Sequence, residues 1–118
     1  MTYLNKKETK KDPKYWQLHK AKIIACNLWN IPVEDLNKET RKTEYVHARC
    51  FVMYYSYTVM DKTFKEAGEE VGKDHATCLR ALRRTIPDRY ATDIGFREKM
   101  DSFCKFLKTE TPEIRVLK

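Results

Sequence analysis

Between Lys14 and Asn30 apolar side chains recur at Tyr15, Leu18, Ala21, Ile24, Ala25 and Leu28. This i, i+3, i+4 rhythm predicts an amphipathic helix, with Pro13 suited to its first turn. Asn30-Ile31-Pro32 breaks the rhythm, and Val33 to Leu36 reads as a short helical turn. From Arg41 or Thr43 to Met60 the pattern changes. Val46, Cys50, Met53, Tyr57 and Met60 fall on one side, and Tyr45, Ala48, Val52, Tyr55 and Val59 on another. A helix apolar nearly all round is central and buried. One narrow polar line interrupts it: Lys42, Arg49 and Ser56 recur every seventh residue. A helix drifts only about 20° over that interval, so the three are expected to share one line on its surface.

The next pattern is shorter. Thr63-Phe64-Lys65-Glu66 fits a capping box, in which hydroxyl and carboxylate each satisfy a backbone N–H of the first turn. A short helix to Val71 is expected, with Gly68 where two helices approach closely and Gly72 free to take the positive φ that ends a helix. Asp74 can cap a second helix, with His75, Ala76 and Thr77 in its first turn. There Cys78, Leu79, Leu82 and Ile86 face inward, Arg80, Arg83 and Arg84 face outward, and Pro87 is expected to end the helix. Two short helices around a glycine turn make a helix-turn-helix over about 63–86. A loop over 87–92 then leads to a last helix, roughly 93–108, with the stripe Phe96, Met100, Phe103 and Leu107. The fold expected is all-α: a compact helical domain with a central buried helix. No repeat and no credible strand is visible.

Charge sharpens this outline. The 118 residues carry a net charge of +7 and 35% charged residues. Seven lysines against Glu8 and Asp12 make residues 1–22 strongly basic, and Lys73, Arg80, Arg83, Arg84 and Arg89 against Asp74 and Asp88 make 72–90 basic again. The middle is mildly acidic. An excess distributed in this way favours an anionic partner. The chain divides into a flexible basic arm (1–12), one helical domain (13–108) and a tail (109–118). The start lacks the apolar core of a signal peptide, and no run approaches the ~20 apolar residues of a membrane span. A soluble, cytoplasmic protein with no membrane partner is expected. Cys26, Cys50, Cys78 and Cys104 show no Cys-x-x-Cys spacing and lie within helical apolar patterns, as buried free thiols of a reducing compartment do.

Candidate chemistry centres on the helix-turn-helix, which is either a structural corner or a reader of duplex DNA. The major groove admits an α-helix whose first turn points at base edges. Asp74 can accept from a cytosine amino group, His75 can donate or accept, and Thr77 offers a hydroxyl and a methyl. Lys73 and the arginines suit phosphates. Arg49 is either a snorkelling surface arginine or a functional one. Lys62, Thr63 and Lys65 form either a solvated cap or a phosphate contact. His75 and Cys78 could ligate zinc, but no second ligand pair has matching spacing, so no metal is expected. No phosphate-binding Gly-rich loop or nucleophile motif is present, so neither an enzyme nor a cofactor nor a small-molecule substrate is expected.

From about Asn27 to Leu107 the chain resembles the C-terminal DNA-binding domain (domain IV) of the bacterial replication initiator DnaA. The resemblance rests on Asn30-Ile-Pro-Val-Glu-Asp-Leu36 followed by Arg41-Lys42, on Ala48-Arg-Cys-Phe-Val-Met-Tyr-Tyr55, on Thr63-Phe-Lys-Glu-Ala-Gly68 and on Val71-Gly-Lys-Asp-His-Ala-Thr-Cys78. It implies a Trp-repressor-like, DnaA-like fold in which Arg49 enters the minor groove while Asp74, His75, Ala76 and Thr77 read the major groove. Lys62, Thr63, Lys65 and Lys73 become phosphate contacts, joined by Arg41, Lys42 and Arg80. Two residues depart from the family pattern: Ala76 stands in place of a hydroxyl residue, and Cys50 in place of glutamine. No ATPase module is expected to accompany the domain. The expected role is that of a stand-alone, sequence-specific binder of double-stranded DNA, an accessory replication or transcription factor of a phage, mobile element or bacterium. The alternative is an interaction module that modulates a host replication initiator, or another replication protein, without touching DNA.

Overall fold

The computed structural model describes residues 13–112; the basic arm expected at 1–12 lies outside them. Among the described residues the elements are all helical. Helix α1 (Pro13–Leu28) is followed by a 3-10 turn (Val33–Asp35), α2 (Thr43–Thr58), α3 (Phe64–Glu69) and α4 (His75–Arg80). A π turn (Ala81–Thr85), α5 (Ile86–Thr92) and α6 (Ile94–Leu107) complete the order. No helix among the described residues is long and apolar enough to cross a membrane.

Helix α2 is the axis of the core. Every residue from His47 to Ser56 is buried, because α1, α3, α6 and the π turn all pack around it. Phe51 meets Phe96 and Phe103 of α6 at ring separations of 5.3 and 5.1 Å. Such tilted and edge-on aromatic pairs add specific geometry to their large buried area. The four cysteines are free and buried. Desolvation pushes the Cys50 thiol up to about 12 and those of Cys26 and Cys78 to about 11, so they sit in the core as apolar groups.

Two sequence expectations change here. The Lys42, Arg49, Ser56 line does not run along a solvated surface: Lys42 is exposed, but Arg49 and Ser56 are buried. Polar character alone placed that line outward; packing on all sides of α2 leaves no outward face in its second half. The second departure is at 87–92, which is helical rather than a loop. Pro87 has no N–H and its ring crowds the carbonyl four residues back. The preceding π turn, in which the Ile86 N–H reaches Ala81 O, changes the hydrogen-bond register before the proline, and the helix resumes.

Past α6, Lys108 takes a left-handed conformation with φ 57 and turns the chain back. The Tyr54 hydroxyl donates to Glu110 O, so the first residues of the expected tail are tied to the central helix.

A candidate nucleic-acid interface

The turn between α3 and α4 is built by local chemistry. Thr63 Oγ1 accepts from the Glu66 N–H at 3.1 Å, and Glu66 Oε1 accepts from the Thr63 N–H at 3.0 Å. This is the reciprocal box expected of that sequence. Gly68 lies where α3 meets the start of α4: a Cβ there would stand 2.6 Å from Asp74 O and 2.9 Å from Lys73 O. Only glycine permits this approach. Gly72 adopts φ +72, and the Lys73 N–H returns to Gly68 O at 2.9 Å, so α3 ends in a left-handed glycine turn.

Asp74 then caps α4, its carboxylate accepting from the Thr77 N–H at 2.9 Å. That bond to a backbone N–H holds the Asp74 carboxyl below its ordinary range, since it favours the charged form. Asp74, His75 and Ala76 are exposed, and Thr77 is half-buried. The first turn of α4 therefore projects outward, while Cys78 fixes its back in the core.

Behind this turn lies a cleft of about 340 Å³ lined by Thr40, Arg41, Arg49, Lys73, Thr77 and Arg80, with Cys50 and Met53 at its base. It brings five sequence-selected residues, Arg41, Arg49, Lys73, Thr77 and Arg80, to one concavity. Arg41 and Arg80 of its lining are exposed, as is Lys42, the residue after Arg41. The remaining candidates sit apart. Lys62 pairs with Glu70 at 3.7 Å, Lys22 of α1 reaches the same carboxylate at 3.0 Å, and Lys65 pairs with Glu69 at 3.9 Å. The Thr63 hydroxyl is engaged in its cap.

Arg49 occupies a geometry that its sequence gave no sign of. It is 3% exposed and its guanidinium donates to three main-chain carbonyls of the loop before α2. Nε reaches Leu36 O at 2.7 Å, Nη1 reaches Thr40 O at 3.0 Å, and Nη2 donates to Lys38 O. A planar fork of five donors suits such a task better than the point charge of a lysine. The fork ties the 36–40 loop, and Arg41 after it, to the central helix. Entry of this side chain into a DNA groove would require releasing those carbonyls.

Sequence reasoning overlooked a second concavity. Arg80, Arg84, Thr85, Asp88, Arg89 and Thr92 line a cleft of about 360 Å³, which shares Arg80 with the first. The signal that could have found it was the basic count of 72–90, which includes Arg89; a helix expected to stop at Pro87 hid its placement. No group of three or more His, Cys, Asp or Glu side chains that could hold a metal ion occurs among the described residues.

Comparison with known proteins bears on this geometry. The family model for the bacterial DnaA protein helix-turn-helix matches residues 21–85. The chromosomal replication initiator protein DnaA of Rickettsia canadensis is 30% identical over 85 residues, covering 71% of this chain and 18% of that protein. The DnaA of Caldanaerobacter subterraneus is 28% identical over 84 residues, covering 71% and 19%. That of Spiroplasma citri is 30% identical over 66 residues, covering 55% and 15%. The chain thus spans about a fifth or less of the length of these relatives. No solved structure matches significantly. With the matched segment holding the capped turn, the glycine approach and the cleft behind them, and with more than half of the 118 residues inside it, the chain belongs to the bacterial DnaA-protein helix-turn-helix family.

Proposed function

We propose that this protein binds double-stranded DNA through its helix-turn-helix, with sequence preference and without catalysis, as an accessory replication or transcription factor of a bacterium, phage or mobile element. Residues 13–108 are the proposed binding unit, flanked by the basic arm 1–12 and the tail 109–118. The observation that carries the reading is the pairing of an exposed first turn, Asp74 to Thr77, with the basic cleft of Arg41, Lys73 and Arg80 beside it. A helix presented in this way fits a major groove while the flanking cations meet phosphates.

In this reading His75 and Thr77 contact base edges, Asp74 divides its carboxylate between the cap and a cytosine amino group, and Ala76 offers only a methyl. Lys73, Arg80, Arg41 and Lys42 neutralise phosphates. Thr63, Lys62 and Lys65 join at the edge, the two lysines exchanging Glu70 and Glu69 for the DNA backbone. Arg49 acts as a positioning residue that holds the 36–41 loop against the duplex. A change in base preference at one step in an Arg49→Lys variant, with the fold intact, would return it to the groove.

The test is fluorescence anisotropy on a random duplex library followed by single sequences. His75→Ala or Thr77→Ala should flatten preference by about 1–3 kcal/mol per lost base contact. Lys73→Ala should weaken all sequences alike and reduce the salt dependence. Equal binding of all duplexes by the parent protein would remove sequence preference from the proposal.

A second reading, an interaction module for a replication initiator, is favoured by the Lys62–Glu70 and Lys65–Glu69 pairs, which occupy two candidate phosphate contacts. It predicts no duplex binding even at low salt.

A further inference from the structure

We propose that a second phosphate-binding track, centred on Arg84 and Arg89, extends the DNA footprint beyond the helix-turn-helix. The inference rests on the proposed DNA binding and adds a site to it. Arg89 and Thr92 lie past residues 21–85, the segment matched by the family model.

The first ground is the π turn at Ala81–Thr85. In an unbroken α-helix, at about 100° per residue, Arg89 would lie about 180° around from Arg80, and Thr92 about 120° around. An i→i+5 turn holds one extra residue and sets everything after it back by about 100°. Arg89 then falls about 80° from Arg80 and Thr92 about 20° from it, while Arg84 stays near Arg80 in either register. The result is visible in the cleft, where Arg80, Arg84, Thr85, Arg89 and Thr92 share one wall with Asp88.

The second ground is charge. Arg80, Arg84 and Arg89 are exposed and make no ion pair among the described residues, in contrast to Lys62 and Lys65. Asp88 is the opposing charge in the cleft, which leaves an excess of positive charge. The Thr92 hydroxyl donates to Asp88 O at 2.7 Å, so its oxygen keeps lone pairs toward solvent but its proton is engaged; the arginines carry the anion contact. Guanidinium groups match phosphate oxygens with two parallel N–H donors. Free anions would find this cleft shallow and open. A polyanion already held by Lys73 and Thr77 next door reaches it through Arg80, which borders both clefts. A continuous backbone of regularly spaced phosphates is therefore the ligand that the two clefts share.

Arg83 provides the internal control. It points to the other side, with its guanidinium 5.9 Å from the Phe64 ring, above a groove lined by Tyr54, Tyr57 and Ile86. Charge lost there should leave the track intact.

The experiment measures binding of the full chain to fluorescein-labelled random duplexes over a salt series. Arg89→Ala should make the log–log salt slope shallower by about 0.9 and weaken binding about eightfold at 0.1 M salt, the effect of one phosphate no longer neutralised. The loss should be the same for every sequence, and Arg89→Lys should retain most of the parent slope. As the duplex is shortened, the parent and Arg89→Ala should converge, because the outlying phosphate is then absent; a purely structural role for Arg89 would not depend on duplex length. Arg83→Ala should keep the parent slope. The track is overturned if Arg89→Ala and the Arg84→Ala/Arg89→Ala double variant, with unchanged melting temperature, bind with the parent slope while His75→Ala still alters preference. If the parent protein binds no duplex at low salt, the DNA-binding reading itself fails and takes the track with it.

Discussion

The segment from Thr63 to Thr77 and the segment from Ala81 to Thr92 are neighbours in sequence and both helical, yet the first sets two lysines against four acidic residues, the second three arginines against one, and they are built on different principles. In the first, each change of backbone direction has a residue that demands it: a hydroxyl box at Thr63, a missing Cβ at Gly68, a positive φ at Gly72 and a carboxylate cap at Asp74. In the second, the decisive event is a single wide turn that no side chain announces. It lets the helix pass Pro87 and swings Arg89 toward Arg84. Local chemistry makes a turn robust and readable. Register changes inside a helix depend on what packs behind it, here Ala81, Ile86 and Tyr90 held against the core.

Variants can break this comparison, the largest effect first. Arg49→Ala removes the fork that satisfies Leu36, Lys38 and Thr40 carbonyls, and should cost about 3 kcal/mol of unfolding free energy, since charged donors to buried acceptors are worth the most. Urea denaturation checks it, and a midpoint within error of the parent would show that the 36–40 loop holds without the arginine. Gly68→Ala forces a methyl against Lys73 and Asp74 carbonyls and should lower stability by about 2 kcal/mol, read by thermal melting. The same substitution at half-buried Gly95, where a Cβ meets nothing nearer than 3.5 Å, should be close to neutral. Thr63→Ala deletes half of the capping box and should remove about 1 kcal/mol. If the turn at 63–77 is truly local, these losses should appear without any change in the helicity of 81–92, as followed by amide exchange.

Acid separates the turn from the core packed around α2. His47 is buried between Trp29 and Phe96, at ring separations of 4.8 and 4.9 Å. Burial first, and then the positive charge of Arg89, lower its pKa, with Asp93 opposing. Folding therefore favours neutral His47, and the unfolded chain binds more protons below its ordinary pKa. Stability is complete above about pH 6.5 and falls as pH drops toward the lowered native value. A His47→Phe variant, which keeps the aromatic packing, should lose that decline between pH 7 and pH 5.5 in melting experiments. Asp74 is depressed as well, so its cap is fully in place above the ordinary carboxylate range and is lost only as pH falls below it. Acidification should therefore loosen the α2–α6 packing around His47 before it disturbs the turn. The smallest effect expected is that of Lys65→Ala: its 3.9 Å pair with Glu69 is exposed, and stability should shift by less than about 0.5 kcal/mol.

Arg49 shows best why some of the site was legible and some was not. Its isolation on an apolar helix marked it as unusual, and that signal was sound. The direction of its side chain was not in the pattern, because the carbonyls it binds belong to a loop folded back from 36–40, about ten residues upstream. Ser56 carried the same helical phase and is also buried. Helical periodicity fixes which residues share a face, and it says nothing about whether that face meets water or a loop.

By itself, then, the order of residues determined the all-helical fold, the central place of α2 and the turn from Thr63 to Thr77, because periodicity, caps and glycine geometry act over a few residues and need no distant partner. Only the tertiary structure decided that Arg49 faces inward, that the helix runs on past Pro87 and that Arg84 and Arg89 line one cleft. Those outcomes depend on main-chain carbonyls and core contacts brought together from remote parts of the chain, where a one-residue change in helical register moves a charge to a different face.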